Sequence, residues 1–146
     1  MILDIENDVF NYVAAALKAA HTGIVVTGEY EDKMAKFPAV TIVEADNRLV
    51  QEMRSSSGME NAASLMYEVN VYSNKVAGRK GEAKAIANTA DEAFASLGFV
   101  RSFREQIPNL NDATIYRIVA RYEGTVGLLN ESLDGSNNEY LIYRPY

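Results

Sequence analysis

The middle of the chain has the clearest pattern of hydrophobic and polar positions. Apolar and polar residues alternate over residues 65–72, the two-residue period of a half-buried strand. Over residues 83–97, apolar side chains recur at three- and four-residue steps, which predicts an amphipathic helix that ends at Gly98. Residues 99–107 and 114–124 have strand patterns again. This block therefore predicts the order strand, helix, strand, strand.

The N-terminal part predicts one more helix and two more strands. Apolar positions over residues 5–20 have helical spacing, and Gly23 stops this helix. A short β-branched run predicts a strand within residues 23–29, and Pro38 precedes a second strand at 39–45. The order α-β-β-(long loop)-β-α-β-β predicts an α+β fold. We expect an antiparallel or mixed sheet of four to five strands with both helices on one face.

Residues 46–63 show no usable period, and we interpret them as a long loop between two strands. Loops of this length in compact domains are usually either functional or disordered. The segment is therefore either a hairpin connection of no further role or an arm that orders against a partner or a neighbouring subunit. On the second interpretation, the candidate partner-contact residues are Arg48, Gln51, Glu52, Arg54, Ser56 and Met59.

The pattern changes near the C-terminus. Leucines are scattered among acidic residues after Gly124, and residues 134–138 form a strong turn signal. Residues 140–143 are a candidate extra edge strand. We divide the chain into a single α+β domain over residues 1–127 and a C-terminal extension over 128–146.

Composition narrows the classes of function. The chain has 146 residues, a net charge of −6, no cysteine and a single histidine, His21. The acidic balance opposes a duplex-DNA-binding module, and the lack of cysteine excludes disulfides and thiolate metal sites. Acidic residues among the first eight positions argue against a signal peptide. No apolar run reaches the length of a membrane span. We expect no metal, no cofactor and no membrane partner.

Each candidate site for chemistry has a stronger structural explanation. Residues 78–81 read Gly-Arg-Lys-Gly, which a phosphate or RNA clamp would use, but a turn before a helix with two solvated cations explains them better. The acids of the second helix lie on a face expected to be solvated, and the serines at 55–57 have no nearby base. The sequence therefore predicts that the protein is not an enzyme.

The last core strand carries the more informative pattern. Tyr116 shares one face with the apolar positions that follow it, whereas Arg117 and Arg121 share the other. Arg101 and Arg104 are expected on opposite faces of the preceding strand. Arginine and tyrosine on a sheet suit either a nucleic-acid platform or a protein interface, and the net acidity favours the protein interface.

Several stretches together resemble a known family. They are FPAVTI at 37–42, YEVNVYSN at 67–74, LGF at 97–99, IPN at 107–109, YRI at 116–118 and RYEG at 121–124. In order and spacing they resemble the tail terminator proteins of long-tailed phages, also called tail completion or minor capsid proteins. The resemblance covers about residues 2–124 and leaves the last part of the chain unplaced.

The resemblance implies a structural subunit of the virion that forms a ring, commonly a hexamer. Such a ring caps the head-proximal end of the tail tube, ends its polymerisation and docks to the head. Its partners would be copies of itself, the tail-tube protein and head–tail connector proteins, with DNA passing through the lumen without sequence-specific binding. The protein would be made in the cytoplasm of the bacterial host.

Within this reading, the loop at 46–63 would face the partner. The candidate subunit-interface residues are Tyr116, Arg117, Arg121, Tyr140 and Tyr143. Two alternatives remain open. One is a neck or head-completion protein on the portal side, and the other is a small nucleic-acid-binding α/β module.

Overall fold

The computed structural model describes residues 5–31, 33–49, 62–130 and 139–143. They form an α+β fold with a mixed sheet and two helices, which confirms the expected fold class. In chain order the elements are α1 (Glu6–Ala20), β1 (Val25–Thr27), β2 (Ala39–Leu49), β3 (Ala62–Ser73), α2 (Arg79–Leu97), β4 (Val100–Gln106), β5 (Tyr116–Asn130) and β6 (Glu139–Tyr143).

The sheet has the order β1-β2-β3-β5-β4, and only the pairing of β1 with β2 is parallel. β3 occupies one side of β5 along residues 116–127. The other side of β5 pairs first with β4, along residues 118–123, and then with β6, along residues 125–130. β4 and β6 therefore follow each other along the same edge of β5, and β6 contains the residues 140–143 at which an edge strand was expected.

The core lies between the helices and one face of the sheet. α1 buries Val9, Val13 and Leu17 at helical spacing, and the odd-numbered positions of β3 from Ala63 to Val71 are buried against the helices. Each strand thus directs alternate side chains toward the helices, as the two-residue period requires. We call this side of the sheet the helix face and the other side the open face.

Four aromatic rings from α2, β3, β5 and the start of β4 form the centre of the core. Phe94 stacks on Tyr122 with ring centroids 4.3 Å apart, and Phe99 packs edge-on against Phe94 at 5.7 Å and Tyr67 at 5.4 Å. Gly124 is required for this packing, because a Cβ atom there would lie 2.7 Å from Cδ1 of Phe99. Offset and edge-on rings are the favoured arrangements of aromatic pairs.

The strands on either side of the expected long loop are longer than the sequence predicted. β2 continues to Leu49 and β3 begins at Ala62, so the loop bounds of 46–63 were wrong at both ends. The register shifts between Glu44 and Asp46, so that Ala45 has no partner on β3. This bulge breaks the alternation of side chains, which hides the second half of β2 from a period-two pattern.

Candidate functional site

The open face carries a network of charged and amide side chains along β3 and β5. Arg121 lies 3.1 Å from Glu68 in an ion pair, and Arg117 donates from Nε and Nη2 to Oδ1 of Asn70 at 3.0 and 2.7 Å. Asn70 in turn donates to Glu68 at 3.2 Å. The network therefore links two arginines of β5 through two side chains of β3. Its members hold one another in fixed orientations.

Aromatic rings support both arginines. The Arg117 guanidinium lies 5.5 Å from the ring centre of Tyr72, and that of Arg121 lies 5.3 Å from the ring centre of Phe103. These distances are within the range of cation–π attraction. The two candidate interface arginines thus present planar guanidinium groups that are already ordered, which is the form in which arginine contributes most to a protein interface.

Tyr116 does not belong to this surface. It packs against the hydrophobic core with Ile118 and Tyr122 on the helix face, as its position in the alternation predicts. Of the candidate interface residues whose side chains the structure describes, Arg117 and Arg121 therefore share the open face and Tyr116 lies on the helix face. Tyr140 and Tyr143 lie on β6 at register positions opposite Leu128 and Thr125.

The connection between β1 and β2 reaches across part of the open face. Tyr30 lies in this connection next to Glu68, and burial and the Glu68 carboxylate raise the pKa of its hydroxyl. Burial likewise raises the pKa of Tyr72, although the Arg117 cation opposes that shift. Further along the same face, a cleft of about 280 Å³ is lined by Lys33, Met34, Phe37, Tyr72, Asn109, Asn111, Asp112 and Ile115. Its lining is amphipathic and carries both signs of charge.

The arginines of β4 lie elsewhere. We expected Arg101 and Arg104 on opposite faces, and this was wrong, since both contact α2 on the helix face. Arg101 lies 3.3 Å from Asp91, and Arg104 donates to Asn88 at 2.7 Å. The register of β4 shifts between Arg101 and Phe103, so Ser102 is an extra residue that turns the following side chains over.

The expected partner-contact arm is described only at its base. Arg48 is an exposed residue of β2 and forms an ion pair with Asp46 two positions earlier. The other candidate contacts, Gln51, Glu52, Arg54, Ser56 and Met59, lie outside the described residues. β2 ends at Leu49 and β3 begins at Ala62. The base of any such arm is therefore an antiparallel ladder, in which residues 46–49 of β2 pair with residues 63–66 of β3.

The described residues that were candidates for chemistry make ordinary structural contacts, and the serines at 55–57 lie outside the described residues. His21 shares a hydrogen bond of 2.8 Å with the hydroxyl of Thr89, which joins α1 to α2. Glu82 of α2 accepts a bond of 2.6 Å from the buried hydroxyl of Ser73. Gly78 is the N-cap of α2 in a left-handed conformation, as expected for a turn before a helix. Over the described ranges, no group of three or more His, Asp or Glu side chains is placed to hold a metal ion.

Comparisons with known proteins give no family for this chain. No family model matches it, and no curated protein matches its sequence. Among the helices that the structure describes, none is both long and apolar enough to cross a membrane.

Proposed function

We propose that the protein is a structural subunit of a phage virion, of the tail terminator kind, that assembles into a ring on the end of the tail tube. The ring ends polymerisation of the tube and gives the head its docking surface. The family resemblance of residues 2–124 supplies the specific role. The structure contributes support of a different kind, which concerns how the subunit can associate.

The observation that carries the proposal is the pair of open strand edges at the two ends of the sheet. In the described part of the chain, β1 covers β2 only along Ala39–Thr41, and β4 has a strand partner on one side only. An unpaired edge exposes a row of N–H and C=O groups that can pair with another chain. A subunit with two different open edges is suited to head-to-tail assembly, which generates a ring when the rotation closes.

The arginine network supports a partner-facing role for the open face. Arg121 is half-exposed, with 44% of its side chain accessible, while its acidic partner Glu68 is largely covered at 14%. The Arg121 guanidinium is thus held by Glu68 on the sheet side and remains accessible on the solvent side. Within the proposed ring, this face is the candidate contact for the tube protein or for a neighbouring subunit.

The proposal is tested by adding the protein to polymerising tail-tube protein from the same phage and measuring tube lengths by negative-stain electron microscopy. We expect shorter tubes of uniform length with density capping one end. Arg121→Ala should weaken capping, whereas Lys75→Ala, which removes an exposed cation in the turn before α2, should not. Tubes that grow equally long with and without the wild-type protein, and that carry no cap, would contradict the proposal.

The same preparation separates the alternative roles. A neck or head-completion protein would bind portal complexes and leave tube growth unchanged. A nucleic-acid-binding module is favoured by one observation, a groove that brings Lys84 together with Arg101 and Arg104. For that module we expect salt-dependent binding of a DNA fragment, which Lys84→Glu in this groove should weaken. The partition of the sheet arginines between two faces disfavours a single nucleic-acid platform.

A further inference from the structure

The two open edges of the sheet carry opposite charges. At the β4 edge, Lys84 of α2 and the two arginines of β4 line one groove together with Ser102 and Phe103. Arg101 keeps 45% of its side chain accessible despite its contact with Asp91. This groove is basic in a chain whose net charge is −6. We call it the basic edge.

At the opposite end of the sheet, Glu6 of α1 and Glu29 after β1 line a cleft of about 370 Å³. Phe10 and Ile42 form its apolar floor. Glu6 also accepts the backbone N–H of Glu44 at 2.9 Å, which fixes the first turn of α1 against β2. Two carboxylates, those of Glu6 and Glu29, thus line this cleft at the β1 end of the sheet, and we call it the acidic edge.

The charges on the two edges lie at the same height along the strands. Arg104 pairs with Ala120, Ala120 with Val69, and Val69 with Ile42, which lines the acidic cleft. Since β1 runs parallel to β2 with Thr27 beside Thr41, Glu29 is within about one residue of that level at the strand rise of ~3.3 Å per residue.

A second row of partners gives the same result. Arg101 pairs with Tyr122, Tyr122 with Tyr67, and Tyr67 with Glu44. The backbone N–H of Glu44 donates to the Glu6 carboxylate, which therefore lies near the level of Arg101. The basic side chains contact α2, and Glu6 and Glu29 line a cleft with Phe10 of α1, so both sets lie on the side of the sheet that carries the helices. The two sets of charges therefore lie at similar heights and on the same side of the sheet, and they are opposite in sign.

The strand directions also match. β1 is parallel to β2, two antiparallel steps make β5 parallel to β2, and β4 is antiparallel to β5. β4 therefore runs antiparallel to β1. A second copy placed beside the first in the same orientation would set its β1 antiparallel to the side of β4 that has no strand partner among the described residues. The registers place Val26 and Thr27 of β1 level with Gln106 and Glu105 of β4.

We propose that the basic edge of one copy docks on the acidic edge of the next copy of the same chain. In this contact Arg104 meets Glu29 and Arg101 meets Glu6, while the end of β4 lies beside β1. Their role as the ring contact rests on the proposed function, whereas the contact itself is argued from the charges and registers above. The contact joins two different surfaces, so it can propagate around a ring instead of stopping at a dimer.

A charge swap tests this contact. We expect Arg104→Glu alone and Glu29→Lys alone each to weaken self-association on the order of tenfold or more, because each sets like charges against one another. The double variant Arg104→Glu/Glu29→Lys should recover most of the lost association, since the reversed charges again face their opposites. Sedimentation velocity over a range of protein and salt concentrations measures the assembly, and circular dichroism checks that each variant is folded.

The controls carry the same change of charge away from both edges. Lys75→Glu matches Arg104→Glu, and Glu92→Lys, on the solvent-exposed side of α2, matches Glu29→Lys. Neither should change assembly. A wild-type chain that stays monomeric, single variants that assemble normally, or a double variant no better than the singles would each overturn the inference.

The outcome is separable from the test of the proposed function. If the wild type caps tail tubes but the edge variants assemble and cap normally, the ring uses another contact and the function stands. If the charge swap behaves as expected but the wild type leaves tube growth unchanged, the head-to-tail contact is real and the terminator role is not.

Discussion

The two faces of the same sheet are stabilised in different ways. On the helix face, β3 and β5 contribute Tyr67 and Tyr122 to a core of stacked and edge-on aromatic rings. On the open face, alternate residues of the same strands form an ion pair and bidentate amide contacts, with Arg117 bound to Asn70 and Arg121 to Glu68.

In this small domain, the side chains that stabilise the fold and those available for surface contacts therefore lie on opposite faces of one sheet. The helix face is stabilised by close packing of its side chains. A substitution that opens a cavity there lowers the free energy of unfolding of the protein. The open face is specified by pairing, because each buried polar atom needs its partner. Changes on the first face should act on stability, whereas changes on the second should act on stability less and on association more.

The largest expected effect is the loss of the Phe94 ring. Phe94 is completely buried and contacts three other aromatic rings. We expect Phe94→Ala to lower the free energy of unfolding by about 3–5 kcal/mol, measured by urea denaturation. Val100→Ala, at a position that is 47% exposed, is the matched control and should cost well under that. If the two variants lose similar amounts of the free energy of unfolding, packing on the helix face does not dominate stability as we expect.

The open face should respond to the loss of Asn70, which is completely buried although polar. Asn70→Ala leaves Arg117 without its amide acceptor, and we expect a cost of about 1–3 kcal/mol in the free energy of unfolding. A double-mutant cycle with Arg117→Ala tests the physical reason, since the two changes should be less than additive. Additive losses would show that the contact does not couple the strands.

The sequence predicted the helix face more completely than the open face. Helical and two-residue periods located α1, α2, β3 and the first part of β5, because burial on one side of an element leaves a periodic trace. The periodic patterns gave wrong predictions where a bulge shifts the register of a strand. Ala45 concealed the second half of β2, and Ser102 reversed the expected orientation of Arg104.

The candidate site was predicted only in part, for a related reason. The alternation along β5 placed Arg117 and Arg121 on one face, but their partners Asn70 and Glu68 depend on how β5 registers with β3. Sequence alone gives no register between strands so far apart in the chain. The available signal was that Glu68 and Asn70 are polar residues at alternate positions of a strand that is otherwise largely apolar.

An intermediate effect is expected at Gly124, where the helix face depends on the lack of a side chain. Because an added Cβ would lie 2.7 Å from Cδ1 of Phe99, we expect Gly124→Ala to cost about 1–3 kcal/mol of stability by urea denaturation. Gly81→Ala is the control, since nothing lies within 4 Å of its Cβ position and it is in the first turn of α2. That variant should be neutral or gain up to about 1 kcal/mol.

The two faces should also differ in alkaline solution. Burial and the Asp91 carboxylate raise the pKa of Tyr122 strongly, although the Arg101 and Arg104 cations oppose the rise. Burial raises the pKa of Tyr72 less, and the Arg117 cation opposes that rise. The folded chain keeps the Tyr122 proton where an unfolded tyrosine, with a pKa of 10.0, loses it. Its contribution is therefore complete below pH 10 and is lost as the pH rises further, by at most about 1.4 kcal/mol per pH unit.

Urea denaturation of the wild type, Tyr122→Phe and Tyr72→Phe at several alkaline pH values measures this difference. Removing the Tyr122 hydroxyl should flatten the fall in stability more than removing that of Tyr72. If the free energy of unfolding falls equally steeply with pH in the two variants, folding raises the pKa of the two tyrosines to the same extent and the expected difference is absent.

The smallest expected effect is the coupling between Arg121 and Glu68. The pair is 3.1 Å apart but the arginine side chain is 44% accessible, so solvent screens the attraction. We expect a coupling free energy of about 0.2–1 kcal/mol in a double-mutant cycle of Arg121→Ala and Glu68→Ala, and a smaller value at high salt. A salt-independent coupling of several kcal/mol would mean that the open face is stabilised like the core. A small coupling combined with a large loss of tube capping would instead assign Arg121 to the interface, because an exposed guanidinium that contributes little to folding is left available for a partner.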